Sequence, residues 1–214
     1  MAVSKMHPAA AMVEAVQAGM TLFGENRVQE FERKSAELMA GGMGIRAGTS
    51  DAGIEVHLIG HLQSNKAGKA AQIFSAVDSL DSLRLAERLN DATQRQGSTL
   101  PVLVEIKLSA EEAKTGLDPD GPELRELLER APDLASLRIC GLMTVPPLDD
   151  DPETARACFR RLRELRDSLA QRYAQLDLSE LSMGMSGDFE IGIDEGSTLV
   201  RIGTALFGAR AGLV

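Results

Sequence analysis

The sequence contains no tryptophan and a single tyrosine, and aromatic residues make up only 3% of its 214 residues. With so few aromatic side chains, there is no obvious platform on which nucleic-acid bases could stack. Basic residues are also in the minority, because 23 lysines and arginines face 32 aspartates and glutamates, which gives a formal net charge of -9. A negatively charged protein repels phosphate backbones, so the composition argues against a nucleic-acid partner.

Cysteine and long apolar segments are scarce as well. The two cysteines, Cys140 and Cys158, lack CxxC spacing, and no signal peptide is evident. These features predict a cytoplasmic protein with free thiols. No apolar run is long enough to cross a membrane, and no group of histidines, cysteines and carboxylates has the spacing of a metal site. The remaining composition, 43% hydrophobic and 26% charged, is typical of an ordinary globular protein, here with one domain over residues 1–214.

Two patterns alternate along the whole chain. Short apolar runs predict strands at residues 2–5, 20–24, 54–60, 76–79, 101–108, 137–145, 181–185 and 199–202. Helical spacing and capping residues predict helices at residues 8–19, 25–39, 65–74, 82–90, 123–131, 152–173 and 188–194, with a remnant after residue 202. The glycine-rich residues 40–53 interrupt the alternation and predict a flexible surface loop.

Eight strand–helix steps determine the expected fold class. Such alternation predicts a parallel sheet, and in a chain of this length it favours a single α/β domain, a (β/α)8 TIM-type barrel. An open doubly wound sheet is the alternative. That fold usually carries a glycine fingerprint after its first strand, and residues 4–8 contain none.

Lys5 ends the first predicted strand. In a barrel of this type the carboxyl ends of the strands face the active site. A lysine that is desolvated there can lose its proton and act as an amine nucleophile towards an aldehyde. The alternative is a solvated lysine near a frayed terminus.

The last two strands each end in a loop suited to an anion. Ser186-Gly187 follows one strand and Gly203-Thr204 follows the other. Backbone N–H groups at such junctions are expected to lack partners and to attract a phosphate, and barrels often bind phosphate after strands seven and eight. Ser186 and Thr204 could instead serve only as helix caps.

Three further polar positions stand out. Arg201 lies inside the apolar last strand, so its charge needs a partner, either a carboxylate behind the barrel wall or a ligand at the barrel mouth. Asn26 follows the second strand and residues 61–65 follow the third, where caps and turns would explain them equally well. His57 lies among apolar residues and is interpreted as a core histidine with its hydrogen bonds satisfied.

Six blocks of sequence carry a resemblance to a known family. They are Ala-Val-Ser-Lys at 2–5, Phe-Gly-Glu-Asn-Arg-Val-Gln-Glu at 23–30, His-Leu-Ile-Gly-His-Leu-Gln-Ser-Asn-Lys at 57–66, Gly-Leu-Met-Thr-Val-Pro at 141–146, Leu-Ser-Met-Gly-Met-Ser at 181–186 and Val-Arg-Ile-Gly-Thr-Ala-Leu-Phe-Gly-Ala-Arg at 200–210. In this order they resemble the pyridoxal phosphate homeostasis protein family over nearly the whole chain. Members usually have a helix before the first block, whereas this sequence starts almost on it. The 40–53 loop is also longer than the usual connection.

The resemblance implies a barrel similar to the N-terminal domain of alanine racemase, with pyridoxal 5'-phosphate (PLP) as its cofactor. Carried over by motif, Lys5 would hold PLP as a Schiff base, and Arg201 would face the pyridine nitrogen. The other residues implied at the cofactor are Ser186, Gly203 and Thr204 at the phosphate, Asn26 beside the ring, and Ser79 in the same neighbourhood.

The same residues restrict the expected chemistry. A guanidinium beside the pyridine nitrogen keeps the ring unprotonated, which makes it a weak electron sink. Alanine racemase takes its second acid/base, a tyrosine, from another domain, and here the one tyrosine, Tyr173, ends a long outer helix. The resemblance therefore implies a monomeric PLP-holding protein of intracellular PLP homeostasis, with PLP-dependent enzymes as recipients and no evident turnover. The alternative is an enzyme, either a minimal amino-acid racemase or a Schiff-base aldolase.

Overall fold

The computed structural model describes residues 1–44, 53–109 and 115–208, so most of the predicted 40–53 loop lies outside the described residues. The strands are β1 (Ala2–Val3), β2 (Leu22–Glu25), β3 (Glu55–Leu58), β4 (Ala76–Leu80), β5 (Leu100–Glu105), β6 (Leu137–Met143), β7 (Glu180–Met185) and β8 (Leu199–Arg201). The helices are α1 (Ala9–Gln17), α2 (Val28–Ala40), α3 (Ala67–Ile73), α4 (Leu83–Gln94), α5 (Pro122–Arg130), α6 (Pro152–Arg172), α7 (Phe189–Asp194) and α8 (Thr204–Phe207).

The strands form one parallel sheet that closes on itself. Neighbours pair in chain order from β1 to β8. The last strand then returns to the first, since the N–H of Val3 donates to the carbonyl of Ile202 at 2.8 Å, and the N–H of Ile202 donates to the carbonyl of Met1 at 3.0 Å. An open sheet would have left both of these edges unpaired. The predicted (β/α)8 barrel is therefore confirmed.

Apolar side chains fill the space between the strands and the surrounding helices. Phe23, Phe31, Phe74 and Phe159 are all fully buried. Burial of one such side chain stabilises the fold by roughly 1.5–3 kcal/mol, so this layer is the main source of stability. Among the described residues, no helix combines the length and apolar character needed to cross a membrane.

Local capping chemistry determines where two of the helices begin. The hydroxyl of Ser82 accepts a hydrogen bond from the N–H of Leu85 at 3.2 Å, and α4 begins directly after it. The carboxylate of Asp151 accepts from the N–H of Glu153 at 3.0 Å, with Pro152 in the first turn of α6. Each side chain satisfies an N–H that the helix itself leaves without a partner.

Several predicted boundaries are wrong by one to four residues, and two of them show the physical reason. Glu25 was assigned to a helix, but it ends β2, where its carbonyl accepts the N–H of Ile59 at 2.9 Å in the parallel ladder. The predicted end of α4 at residue 90 is too early, because Ala92 and Thr93 are buried and continue the inner face to Gln94. In both places a contact distant in sequence extends the element beyond its local pattern.

Candidate functional site

A cavity of about 360 Å³ lies where the carboxyl ends of the barrel strands meet. Its lining residues are Val3, Lys5, Asn26, Ile59, Val145, Met185, Ser186, Gly187, Arg201, Gly203 and Thr204. The fold thus brings six of the seven predicted cofactor residues to one place. Ser79 is the exception.

The turn that carries Lys5 is held by a buried network. The hydroxyl of Ser4 donates to Oε1 of Glu25 at 2.7 Å, and the ammonium of Lys34 donates to the carbonyl of Ser4 at 2.9 Å. Ser4 and Glu25 are fully buried. Lys5 itself is half-buried against the cavity. These buried hydrogen bonds hold the turn in place, so the alternative of a solvated lysine near a frayed terminus does not describe Lys5.

Lys34 joins the network to α2. Its ammonium lies 2.8 Å from Oε1 of Glu25 and 2.8 Å from Oε1 of Glu30. Burial raises the pKa of Glu25, against the opposing effect of Lys34 and Ser4. Glu30 in turn accepts the N–H of Met6, whose φ of 64° lies in the left-handed region that non-glycine residues rarely adopt. Strained backbone therefore follows Lys5 directly, and strain of this kind often marks functional sites.

Arg201 is buried in β8 and reaches across the barrel mouth. Its Nη1 donates to the carbonyl and the hydroxyl of Ser182 at 2.8 and 2.7 Å, and its Nη2 donates to the carbonyl of Thr144 at 2.8 Å. Burial lowers its pKa from the ordinary value, although Asp78, Asp188 and Glu105 at longer range oppose this. All three acceptors are neutral, so the guanidinium brings a positive charge to the cavity instead of pairing with a carboxylate behind the wall.

Ser186 connects the loops after β7 and β8. Its hydroxyl oxygen accepts the N–H groups of Gly203 at 3.2 Å and Ala205 at 3.3 Å. The prediction that these N–H groups lack partners is therefore wrong, because the serine side chain satisfies two of them. A hydroxyl that accepts twice keeps its own proton for a third group, and this one lines the cavity.

Ser79 lies behind the cavity instead of lining it. It is fully buried, and its hydroxyl donates to the carbonyl of Gly60 at 2.7 Å. Gly60 packs so closely on Asn26 that a Cβ at residue 60 would overlap the Asn26 carbonyl oxygen. Ser79 thus holds the backbone of Gly60, which in turn packs against Asn26.

Two further polar groups lie at the barrel mouth: His61, which belongs to the polar residues 61–65 predicted after the third strand, and Glu105, which was not singled out from the sequence. Nδ1 of His61 lies 2.8 Å from Oδ2 of Asp81, after β3 and β4. Glu105 ends β5, is 8% exposed and accepts a hydrogen bond from Thr115 at 2.8 Å. Burial raises the pKa of Glu105, with the Thr115 bond opposing. The signal for Glu105 was available, because it interrupts an apolar strand just as Arg201 does.

His57 lies at the opposite, amino-terminal end of the barrel, beside a cavity of about 250 Å³. Its Nδ1 is 3.0 Å from Asp78, and Glu55 lies 3.8 Å from its other ring nitrogen. Burial acts to lower the pKa of His57, but the two carboxylates outweigh it and raise the pKa to about 9. His57 therefore has polar partners, as expected, but it is half-buried and lines a cavity instead of lying in the apolar core.

Comparisons with known proteins identify the family and the fold. The family model of the alanine racemase N-terminal domain matches residues 1–211. The pyridoxal phosphate homeostasis protein of Aquifex aeolicus is 41% identical over 207 residues, covering 97% of this chain and 85% of that protein. The protein of the same name from Escherichia coli is 40% identical over 210 residues, covering 98% and 85%.

Solved structures extend the comparison to three dimensions. The structure of PipY from Synechococcus elongatus with PLP bound superposes with a TM-score of 0.87 at 41% identity, covering 97% of this chain and 91% of that one. Alanine racemase from Clostridium difficile has a TM-score of 0.70 at 16% identity, covering 97% and 51%, which shows a shared fold alone. The chain, with its closed barrel and full-length matches at about 40% identity, therefore belongs to the pyridoxal phosphate homeostasis protein family.

Proposed function

We propose that this protein binds PLP in the cavity at the barrel mouth, holds it as a Schiff base on Lys5 and serves intracellular PLP homeostasis. The observation that carries the proposal is the convergence of Lys5, Ser186 and Arg201 on one cavity. PLP has an aldehyde, a phosphate and a pyridine nitrogen, so it needs an amine, an anion site and a partner for the ring.

The phosphate end fits the loops after β7 and β8. The Ser186 hydroxyl keeps a proton to donate, and Gly203 and Thr204 line the same wall. A Cβ at Gly203 would come no closer than 3.5 Å to Val3, so the loop has room beside it. The buried positive charge of Arg201 also favours an anionic ligand.

The position of Arg201 suits the pyridine ring of PLP. Three of its five N–H groups donate to Ser182 and Thr144. Within the described residues, the other two have no acceptor and are available to the cavity. When bound, PLP supplies an aldehyde that condenses with primary amines, and a guanidinium beside the ring nitrogen keeps that nitrogen unprotonated.

The proposed role is holding and release without catalytic turnover. An unprotonated ring is a weak electron sink, which disfavours transamination and racemisation. Tyr173 is 6% exposed at the carboxyl end of α6, and a barrel helix returns the chain to the end opposite the cavity. It therefore cannot serve as an acid/base on the ring. We further propose that the protein acts in the cytoplasm as a monomer, with PLP-dependent enzymes as recipients.

Absorbance and mass spectrometry test the cofactor site. Wild-type protein incubated with PLP should gain a band near the edge of the visible, and borohydride should fix the adduct on the peptide that contains Lys5. The Lys5→Ala variant should lose both signals. Lys69→Ala, which removes an exposed lysine paired with Glu32 at 2.9 Å, should keep them. A colourless wild-type protein, or an equal adduct in Lys5→Ala, overturns the proposal.

Chiral chromatography tests the absence of turnover. PLP-loaded protein incubated separately with L-alanine and with D-alanine should leave each enantiomer unchanged. Steady appearance of the opposite enantiomer over many turnovers would establish a racemase instead.

A further inference from the structure

The turn that carries Lys5 holds one residue in a conformation that its side chain disfavours. The carbonyl of Ser4 accepts the N–H of His7 at 3.1 Å, so Lys5 and Met6 are the two central residues of a β-turn. The φ of Met6 is 64°, and no other non-glycine residue in the described part of the chain has a positive φ. A positive φ at the second central position is typical of a type II turn, where glycine is preferred. A methionine there indicates that another contact selects the conformation.

That contact is made by the peptide group between Lys5 and Met6. Type I and type II turns differ mainly in the orientation of this peptide, since ψ of the first central residue is about −30° in type I and about +120° in type II. The N–H of the peptide, which belongs to Met6, donates to Oε1 of Glu30 on α2. A type I turn would rotate the N–H away from Glu30. The hydrogen bond therefore selects the strained orientation over the relaxed one.

The peptide on the other side of Lys5 is bound to the same helix. The Lys34 ammonium donates to the carbonyl of Ser4 at 2.9 Å and pairs with Glu30, one helical turn away, at 2.8 Å. Burial acts to raise the pKa of Glu30, but the hydrogen bonds from Lys34 and Met6 outweigh it and lower the pKa, so Glu30 is ionised at neutral pH. Because both flanking peptides are held, φ and ψ of Lys5 are held too, and they set the direction in which its side chain leaves the backbone.

We propose that Glu30 is a positioning residue for Lys5, which holds the peptide between Lys5 and Met6 in the type II orientation and so keeps the Lys5 amine placed for reaction with the PLP aldehyde. In that reaction the neutral amine forms a C=N bond to the aldehyde carbon, and the aldehyde oxygen leaves as water with the two amine protons. The proposal rests on the proposed function, because it concerns the Schiff base assigned to Lys5. Glu30 does not line the cofactor cavity, so it acts through the backbone of the turn.

Spectrophotometric PLP titration tests the role of Glu30. Glu30→Ala should weaken Schiff-base formation about fivefold or more, because the central peptide can then flip and the amine samples more directions. Glu30→Gln keeps an oxygen that accepts the N–H of Met6, so it should restore most of the wild-type affinity. Glu32→Ala is the matched control, since Glu32 is exposed on the same helix, pairs with Lys69 at 2.9 Å and should bind PLP as wild type does.

Pyridoxine 5'-phosphate separates positioning of the amine from a general structural role. It has the ring and the phosphate of PLP but an alcohol in place of the aldehyde, so it cannot form a Schiff base. Its affinity, measured by calorimetry, should be the same for wild type and Glu30→Ala. An equal loss of affinity for both compounds, or an unchanged affinity for PLP in Glu30→Ala, overturns the proposal.

A second substitution tests whether the peptide orientation is the cause. Met6 is 63% exposed, so Met6→Gly removes little packing, and glycine adopts a positive φ without strain. The double variant Glu30→Ala with Met6→Gly should therefore regain most of the Schiff-base formation that Glu30→Ala loses. A double variant as weak as Glu30→Ala alone would contradict the assigned mechanism.

Amide hydrogen exchange in PLP-free protein separates this proposal from the proposed function. The N–H of Met6 should exchange about tenfold or more faster in Glu30→Ala than in wild type, because it loses its acceptor. If the PLP band forms in wild type and is unchanged in Glu30→Ala, the role of Glu30 alone fails. If no band forms in wild type, the proposed function fails, and the exchange rate of Met6 then decides whether Glu30 holds the peptide.

Discussion

The ammonium group of Lys34 lies 2.8 Å from Oε1 of Glu25, and the two side chains are only 9% and 0% exposed. This ion pair connects α2 to the end of β2, and through Ser4 it reaches the turn that carries Lys5. A buried pair contributes little net stability relative to apolar side chains, but removal of one partner leaves an uncompensated charge.

Replacement of Lys34 by methionine should lower the free energy of unfolding by about 3–5 kcal/mol, because Glu25 then stays buried without its cation. Urea unfolding followed by circular dichroism measures the change. The double variant Lys34→Met with Glu25→Gln should regain part of the loss. Lys69→Met breaks an exposed ion pair and should cost less than about 1 kcal/mol. Equal effects of the two single variants would contradict the assigned role.

Replacement of Gly60 by alanine should weaken PLP binding and cost about 1–3 kcal/mol of stability, because the new Cβ would overlap the Asn26 backbone and strain the strand end. Spectrophotometric PLP titration and urea unfolding measure the two effects. Gly68→Ala on α3 meets nothing within 4 Å and should leave PLP binding unchanged. A Gly60→Ala protein with wild-type PLP affinity would show that Asn26 does not need its present position.

Replacement of Arg201 by glutamate should raise the basicity of the pyridine nitrogen and so change the absorbance spectrum of bound PLP. Arg201→Lys keeps the positive charge and should keep the spectrum nearer to wild type, although it loses the planar guanidinium group that donates to Ser182 and Thr144. Circular dichroism verifies that each variant is folded. An unchanged spectrum and affinity in a folded Arg201→Glu protein would mean that Arg201 does not face the ring.

His57 makes part of the stability depend on pH. Its pKa in the folded protein, about 9, exceeds the ordinary 6.5, so the protonated form stabilises the fold. The contribution, up to about 3 kcal/mol, is fully present below pH 6.5 and is lost as pH rises through about 9. The charged groups facing His57 are Asp78, Glu55, Arg138 and Glu180.

Urea unfolding of wild type and His57→Gln across pH 6–10 measures this contribution. The difference between their unfolding free energies should shrink as pH rises. A difference independent of pH would show that His57 does not carry the charge.

The barrel was predictable because its signals are local. Strand and helix periods, the Ser82 and Asp151 caps and the chain order of eight units are all visible between sequence neighbours. The placement of Lys5, Ser186 and Arg201 in one cavity was predictable for a related reason, since each follows or ends a strand and barrels gather those ends. The helix prediction for Glu25 is wrong because the backbone hydrogen bond that places it in β2, from the N–H of Ile59 to its carbonyl, joins residues far apart in sequence.

The sequence by itself determined the fold class, the family and the residues that meet at the barrel mouth, because the order of the motifs and the hydrophobic periodicity can be read from the sequence alone. Only the tertiary structure decided which groups satisfy one another. In the structure the Ser79 hydroxyl donates to the carbonyl of Gly60, the Ser186 hydroxyl accepts the loop N–H of Gly203, and the buried Glu105 accepts a hydrogen bond from Thr115. The physical reason is that hydrogen-bond satisfaction depends on side-chain direction and on the register of distant strands, which no local pattern specifies.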